Sequence, residues 1–196
     1  DGEFSVSDVR DVYSLDRPAT GSVRVAPPWQ LAKYLAATGM YFRDANWSPD
    51  WPTSAASLLD FYRKENGEDA FSMDGVIAVS PRIIQRLSEL TGCITVQGVE
   101  FCPENIIAQI QYEVEKGYDF KGLPATERKQ IMKPLAEEFM KRLSALSASD
   151  LPRVARIVRD AISSKDVMLW STDPAFQEAI DGARLAGRVA WTTPDQ

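Results

Sequence analysis

The sequence contains no histidine among its 196 residues, and this absence limits the chemistry open to the chain. Catalytic Ser-His-Asp and Cys-His systems use an imidazole as the base, so the chain can form neither of them by itself. Common zinc sites contain histidine or four cysteines, and only two cysteines are present. Any acid–base chemistry therefore falls to Asp, Glu, Lys, Arg or Tyr side chains.

The sequence is also short of basic charge and of long apolar runs. The 22 Lys and Arg residues are outnumbered by 28 Asp and Glu residues, which gives a net charge of −6. Nucleic acids and anionic lipid surfaces bind clustered basic residues, so neither is an expected partner. No segment is apolar over the length that spans a bilayer, and the first residues do not resemble a signal peptide. The apolar and charged fractions, 44% and 26%, are typical of a folded globular protein.

The most distinctive segment is the loop of residues 43–52, which reads Arg-Asp-Ala-Asn-Trp-Ser-Pro-Asp-Trp-Pro. Its two prolines disfavour a helix interior, and so many large side chains are costly to order unless they pack or bind something. We define this segment as the polar loop. Its candidate ligand-binding residues are Arg43, Asp44, Asn46, Trp47, Asp50 and Trp51.

Two interpretations of the polar loop stay open. Arg43 could clamp a phosphate while an indole stacks on a sugar, or Arg43 could form an ion pair with Asp44 or Asp50 that only orders the loop. The spacing of Asp44, Asn46 and Asp50 copies part of a calcium loop. An EF-hand is excluded because its glycine and closing glutamate are missing, which leaves an irregular Mg²⁺ or Ca²⁺ site as a further alternative.

Short apolar runs alternate with amphipathic helical patterns along the chain, which predicts an α/β fold. We expect Gly75–Val79 and Ile94–Val96 to belong to one small central sheet flanked by several amphipathic helices. Ser80 followed by Pro81 is typical of a helix start, and Gly92 of the end of that helix.

Other local patterns each predict one element. In the first part of the chain these are a strand-like start from Phe4 to Val12 with a turn at residues 16–21, a short helix after Pro28 with Leu31, Tyr34 and Leu35 on one face, and a helix capped by Thr53 or Ser54. The middle of the chain predicts a helix from Pro103, a loop over residues 116–124, and a long helix from about Ala125 that Pro134 kinks or splits. The last part predicts a helix capped by Ser149 and Asp150, and strands over residues 167–170 and 189–191.

A two-residue connection, Gln97 and Gly98, predicts a tight hairpin between Ile94–Val96 and Val99–Phe101. In that register Cys93 faces Cys102 in a non-hydrogen-bonded pair, where the Cα atoms lie about 4.5 Å apart. This separation permits a disulfide across the hairpin. Two reduced, buried cysteines are the alternative.

The polar loop, with the following Thr-Ser-Ala, resembles the signature of an uncharacterised bacterial envelope family, the domain of unknown function numbered 4012. The resemblance continues along the chain in the same order, with the segment starting at Asp74, the Leu-Thr-Gly ending at Gly92, and the pair Glu104 and Asn105. Members usually lie outside the membrane behind an N-terminal anchor. The resemblance implies an extracytoplasmic location in the cell envelope and a membrane anchor outside this chain, but no activity.

A remoter resemblance links the order of elements to the LytR-CpsA-Psr phosphotransferases. Those enzymes transfer glycopolymers from a polyprenyl-diphosphate carrier, using arginines, an aspartate and Mg²⁺. Those enzymes have a motif late in their sequence in which two arginines three positions apart precede a glutamine at a helix start. In this chain Gln130 matches the glutamine and Lys129 replaces the second arginine, while Arg128 lies one position out of register. Thr126 and Leu123 replace the first arginine and the aspartate. The resemblance implies a LytR-CpsA-Psr-like fold and a diphosphate site near Arg128 and Lys129. A solvated helix start is the structural alternative.

We expect residues 1–196 to form a single domain, the C-terminal part of a larger extracytoplasmic domain. Three functions stay open, namely an envelope phosphotransferase, a non-catalytic module that binds an envelope glycan, and a purely structural domain. No cofactor or metal is expected for the last two, whereas a phosphotransferase would use Mg²⁺. The expected ligand is an envelope glycan or a polyprenyl diphosphate.

Overall fold

The computed structural model describes residues 11–66 and 73–190, and it has a mixed α/β fold with two small sheets. Chain contacts divide these residues into two units. We call Val79–Val167 the middle unit, and the described parts of Asp11–Ala78 and Met168–Gln196 the terminal unit. The chain passes from the terminal to the middle unit along its first strand and returns along its last.

The terminal unit consists mainly of helices, namely α1 (Val12–Ala19), α2 (Trp29–Leu35), a 3₁₀ turn (Phe42–Asp44), α3 (Trp51–Asn66) and α9 (Pro174–Gly182). Helices α1 and α3 both contact the 3₁₀ turn and each other. A small core of Met40, Ala45 and Phe61 lies beneath the turn. The polar loop thus begins in the 3₁₀ turn and ends in the first turn of α3.

The first sheet pairs β1 (Gly75–Val79) with β4 (Val167–Ser171). The pairing is antiparallel, because Ser80 N–H donates to the Asp166 carbonyl at one end and Thr172 N–H donates to the Asp74 carbonyl at the other. A β-carbon on Gly75 would overlap the Trp170 carbonyl oxygen. Glycine is therefore required where β1 approaches β4 most closely.

The middle unit contains α4 (Pro81–Thr91), β2 (Ile94–Val96), β3 (Val99–Phe101), α5 (Ile106–Tyr112), a π-helical turn (Glu113–Gly117), α6 (Tyr118–Phe120), a 3₁₀ turn (Ala125–Glu127), α7 (Met132–Ser144) and α8 (Leu151–Ser163). Helix α4 packs against α5, α7 and α8. The Ser80 side chain accepts from Arg82 N–H and caps α4, and Gly92 ends this helix with φ +73°. This local prediction is confirmed.

Strands β2 and β3 form the predicted hairpin with the predicted register, in which Ile94 faces Phe101 and Val96 faces Val99. Gln97 and Gly98 both have positive φ, +51° and +78°, as a tight hairpin turn of type I′ requires. Ile94 and Phe101 are fully buried. They form a core with Val96 of β2, Ile106 of α5, Ile131 just before α7, and Leu135 and Phe139 of α7.

The expected single central sheet is wrong, since Gly75–Val79 and Ile94–Val96 belong to two separate two-stranded sheets. Each short strand finds its hydrogen-bonding partner in one other strand, and helices supply the rest of each core. The strand over residues 167–170 is confirmed as β4. Residues 189 and 190 form no strand, and Trp191 lies outside the described residues.

Several helix boundaries also differ from the expectation. Val12 and residues 16–19 of the expected turn lie in α1, and residues 1–10 lie outside the described residues. Of the face expected on α2 only Leu31 is buried. Asp50 rather than Thr53 or Ser54 caps α3.

In the middle unit the chain over residues 113–120 is helical, and α5 starts at Ile106 rather than at Pro103. The long helix expected from about Ala125 is split into a 3₁₀ turn and α7. Pro134 lies in the first turn of α7, where its missing N–H is tolerated.

Candidate functional site

Arg43 is the first charged residue of the polar loop, and its shortest ion pair is with a residue outside that loop. Its Nη1 donates to Oδ2 of Asp16, on α1, at 2.7 Å. The guanidinium also lies over the rings of Tyr41 and Tyr13, at 4.8 and 5.8 Å. Asp44 is more distant, with 3.7 Å between its Oδ2 and Arg43 Nε. Arg43 therefore bridges α1 to the 3₁₀ turn, as an arginine with a structural role does.

The partner of Arg43 belongs to a pair of carboxyl groups. Asp16 is only 1% exposed, and its carboxyl group neighbours the side chain of Glu65 near the end of α3. Phe42 N–H donates to Oε1 of Glu65 at 2.8 Å. Burial first, and then the neighbouring Asp16 carboxylate, raises the pKa of Glu65 to about 7, although the hydrogen bond from Phe42 and the charge of Arg43 oppose this shift.

Asp50 lies at the other end of the polar loop and makes a separate set of contacts. Its Oδ2 accepts from Thr53 N–H and Thr53 Oγ1 at 3.2 and 2.8 Å, and its Oδ1 accepts from Val189 N–H at 3.1 Å. Burial favours the neutral acid, but the hydrogen bonds from Thr53 and Val189 and the charge of Arg188 lower the pKa of Asp50. Asp50 thus caps α3 and attaches the chain near residue 189 to it.

The remaining polar-loop candidates differ in exposure. Trp51 is 7% exposed, and its backbone N–H donates to the Gly187 carbonyl at 3.4 Å. Trp47 is 46% exposed and Asn46 is also exposed. Of the two indoles, only that of Trp47 offers a ring face to a sugar.

Of the two ion pairs expected within the polar loop, that of Arg43 with Asp44 is present at 3.7 Å. The shorter pair of Arg43 is with Asp16, and Asp50 binds Thr53 and Val189. The loop is ordered mainly by residues outside it. The ligand-binding role of its residues stays a prediction.

Arg128 and Lys129, the other candidates, belong to the middle unit and lie between the second 3₁₀ turn and α7. Arg128 and Gln130 line a small depression together with Lys121 and Glu113. Lys121 Nζ donates to Oε2 of the buried Glu113 at 2.6 Å. Part of the positive charge expected for a diphosphate is therefore neutralised within the protein.

The middle unit also contains a cavity of about 400 Å³ with an entirely apolar lining. Helices α4, α5 and α7 contribute most of the surface, and β1 and β4 contribute one residue each. The lining residues are Val79, Ile83, Ile84, Leu87, Ile106, Ile110, Met132, Leu135, Ala136, Phe139, Met140, Leu143 and Val167. A cavity of this size and character fits the range of small-molecule sites in proteins.

Sequence reasoning missed both the carboxyl pair and the cavity. Glu65 lies in a charged run that reads as an ordinary helix end, and Asp16 was assigned to a turn, so neither position carried a signal of burial. The lining residues of α4, α5 and α7 recur at helical spacing, which predicts that they face inward. A periodic pattern, however, cannot distinguish side chains that pack against one another from side chains that surround a space.

Cys93 and Cys102 form a disulfide, as the hairpin register permits, and their Cα atoms are 4.1 Å apart. Among the described residues, one group of three possible metal ligands lies within 4.8 Å, and it comprises these two cysteines and Glu100. Because the sulfurs are bonded to each other, they are not thiolates that could bind a metal. The disulfide is compatible with an extracytoplasmic location. No helix in the described part of the chain has the length and apolar character to cross a membrane.

Comparison with protein families gives one match, over residues 1–114, to the family described as "Protein of unknown function (DUF4012)". The chain belongs to this family. The match includes the polar loop, β1, and the hairpin with its disulfide. Arg128, Lys129 and the whole of α7, which contributes to the cavity wall, lie beyond the matched residues. No curated protein matches this DUF4012 chain, and no solved structure matches it.

Proposed function

We propose that this DUF4012 protein is a cell-envelope domain that binds a polyprenyl-diphosphate-linked glycopolymer and holds its hydrocarbon chain in the cavity of the middle unit. The observation that carries the proposal is the apolar cavity of about 400 Å³. The disulfide supports an extracytoplasmic location, since such bonds persist in oxidising compartments.

The character of the cavity selects the ligand class. Protein interiors are packed as densely as organic crystals, so a space of this volume lined by helices favours an occupant. Its walls offer aliphatic side chains, one phenyl ring and two methionines, and burial of apolar surface contributes about 25 cal/mol per Å². Met132 and Met140 can adapt their shape to a flexible chain. An isoprenoid or acyl chain has the required chemistry.

The position of the basic candidates supports a charged head group on this ligand. Arg128 and Lys129 precede Met132, a cavity-lining residue, by four and three positions. A diphosphate attached to a chain in the cavity would therefore find cations near the start of α7.

The proposal is for binding without transfer. A LytR-CpsA-Psr-like transfer would use converging arginines and Mg²⁺ held by a carboxylate. Asp50, a carboxylate of the polar loop, accepts hydrogen bonds at both oxygens, and Arg43 is paired with Asp16. A catalytic role would require these contacts to be exchanged for ligand contacts.

The test uses farnesyl diphosphate as the probe and inorganic diphosphate as its counterpart without a hydrocarbon chain. We expect farnesyl diphosphate to raise the melting temperature, since a ligand at 100 times its Kd stabilises the folded state by about 2.7 kcal/mol. Inorganic diphosphate should give a much smaller change. Failure of farnesyl diphosphate to bind, measured also by calorimetry, would refute the proposal.

Two leucine substitutions on α7 locate the binding site. Ala136→Leu places a side chain inside the cavity, whereas Glu137→Leu places the same side chain on the exposed surface of the same helix. We expect Ala136→Leu to weaken farnesyl diphosphate binding at least about tenfold, because the added carbons displace ligand carbons. Glu137→Leu should bind as the unchanged protein does. Equal affinities of the two variants would place the ligand elsewhere.

A non-catalytic structural or glycan-binding role is the second candidate. It is favoured by the polar loop, whose charged groups are satisfied by Asp16, Thr53 and Val189. The exposed ring of Trp47 is the surface that a glycan would use. Binding of an envelope glycan that Trp47→Ala abolishes, while farnesyl diphosphate has no effect, would favour this candidate.

A further inference from the structure

The carboxyl groups of Asp16 and Glu65 are neighbours that would repel each other if both were ionised. Asp16 Oδ1 and Glu65 Oε2 are buried, and among the described residues neither atom has a hydrogen-bond partner. The two carboxyl groups are close enough that the charge of Asp16 raises the pKa of Glu65. Two ionised carboxylates would place like charges in contact inside the protein. One proton held between Oδ1 and Oε2 removes this conflict and gives both oxygens a hydrogen bond.

Arg43, beside the carboxyl pair, balances the charge of one ionised carboxylate. Three elements meet here, with Asp16 on α1, Arg43 on the 3₁₀ turn and Glu65 on α3. With both acids ionised these three groups carry a net charge of −1, and a single shared proton makes them neutral. Arg43 binds the other oxygen of Asp16, Oδ2, and Phe42 N–H binds the other oxygen of Glu65, Oε1.

The other charged and titratable groups on these elements face different partners. Asp44 lies beside Arg43, and Tyr13 and Tyr41 lie against the guanidinium face. On α3, Lys64 pairs with Asp60. Arg63 belongs to the same helix end and has interactions of its own. Asp16 and Arg43 are charged groups that shift the pKa of Glu65, the first upward and the second downward.

We propose that Asp16 and Glu65 share a proton that joins α1 to α3, and that loss of this proton makes the terminal unit a pH-sensitive element. The absence of histidine strengthens the inference. Histidine is the side chain whose ordinary pKa lies between pH 5 and 8, and this chain has none. A change in stability in that range therefore points to a perturbed group.

The sign of the effect follows from linkage. The pKa of Glu65 rises from 4.5 to about 7 on folding, so the folded protein holds one more proton than the unfolded chain between these values. The stabilisation is complete below about pH 4.5, decreases as the pH rises towards 7, and is lost above it. The folding constant should fall by up to about tenfold per pH unit in this window, and at most about 300-fold in total.

Glu65→Gln tests the proposal, because an amide can accept from Phe42 N–H and donate to Asp16 Oδ1 without carrying a titrating proton. Urea unfolding of the full chain gives the folding constants at a series of pH values. We expect the ratio of the constant of the unchanged protein to that of Glu65→Gln to fall between about pH 5 and 7 and then to level off. Glu138→Gln, on the surface beside Arg142, should show the pH dependence of the unchanged protein.

A direct titration keeps the test valid if Glu65→Gln fails to fold. Carbon-13 NMR of the Glu65 carboxyl carbon in the unchanged protein should give a midpoint near 7. A midpoint near 4.5, or a ratio of folding constants that does not change with pH, would overturn the proposal.

Discussion

Replacing Arg43 by alanine tests whether the polar loop is held by its own contacts or is built for a ligand. The substitution removes the cation that pairs with Asp16 and lies over Tyr41. It leaves the carboxylate of Asp16 buried without its counter-charge. We therefore expect Arg43→Ala to destabilise the terminal unit even when no ligand is present.

The magnitude follows from the exposure of the two partners. Breaking a fully buried ion pair costs about 3–5 kcal/mol, whereas an exposed pair contributes about 0–1 kcal/mol. Asp16 is 1% exposed and Arg43 is 36% exposed, so the pair lies between these limits. Including the loss of the contact with Tyr41, about 0.5–1 kcal/mol, we expect a destabilisation of about 2–3 kcal/mol.

Thermal unfolding followed by circular dichroism measures this effect. For a chain of this length, 2–3 kcal/mol corresponds to a decrease in melting temperature of about 4–12 °C. Arg43→Lys should lose less, because it keeps the charge but not the planar group that stacks on the tyrosine ring. Arg159→Ala, which removes a 74% exposed guanidinium paired with Asp160, is the control and should change stability by less than about 0.5 kcal/mol.

An unchanged melting temperature for Arg43→Ala would refute this reasoning. It would mean that Asp16 loses nothing when its counter-charge is removed. In that case a phosphate-binding role for Arg43 would become the better interpretation, and a phosphorylated ligand that stabilises the unchanged protein but not Arg43→Ala would confirm it.

Two further predictions concern the other constrained segments. Mass spectrometry without reductant should show Cys93 joined to Cys102, and replacing both by alanine should cost about 2.5–3 kcal/mol, the chain-entropy value for a closed loop of this length; two free thiols would contradict this. Asp50→Asn should cost about 1–3 kcal/mol, because the carboxylate receives hydrogen bonds from Thr53 and Val189. Burial favours the neutral acid, but these hydrogen bonds outweigh it and lower the pKa of Asp50 from 3.8. The Asp50 carboxylate therefore stabilises the folded protein above about pH 4, and this stabilisation is lost on acidification. In urea unfolding, Asp50→Asn should therefore lose less stability relative to the unchanged protein below that pH than above it.

The hairpin and the start of α4 were predictable because their determinants lie within a few residues of one another. Gln97 and Gly98 set the turn, the turn sets the register, and the register places Cys93 opposite Cys102. Ser80 and Pro81 likewise supply a cap and a first helical residue in adjacent positions.

The same local reasoning failed at the start of α3 and in the pairing of β1. Thr53 and Ser54 are good capping residues, but the side chain of Asp50 takes that role and its other oxygen binds Val189. Strand β1 was located correctly, but it pairs with β4 rather than joining one sheet with β2. Two short strands satisfy their backbone groups as well in two small sheets as in one, and the choice depends on how the helices pack around them.

By itself the sequence determined which chemistry is absent, where the unusual loop lies, and which side chains face inward. Only the tertiary structure decided that Arg43 pairs with Asp16, that Asp16 meets Glu65, and that the inward-facing residues of α4, α5 and α7 surround a cavity. Local patterns reflect the period of each helix or strand, which is a property of neighbouring residues. Ion pairs, shared protons and cavities depend on how separate elements pack, and that arrangement is set by the whole chain.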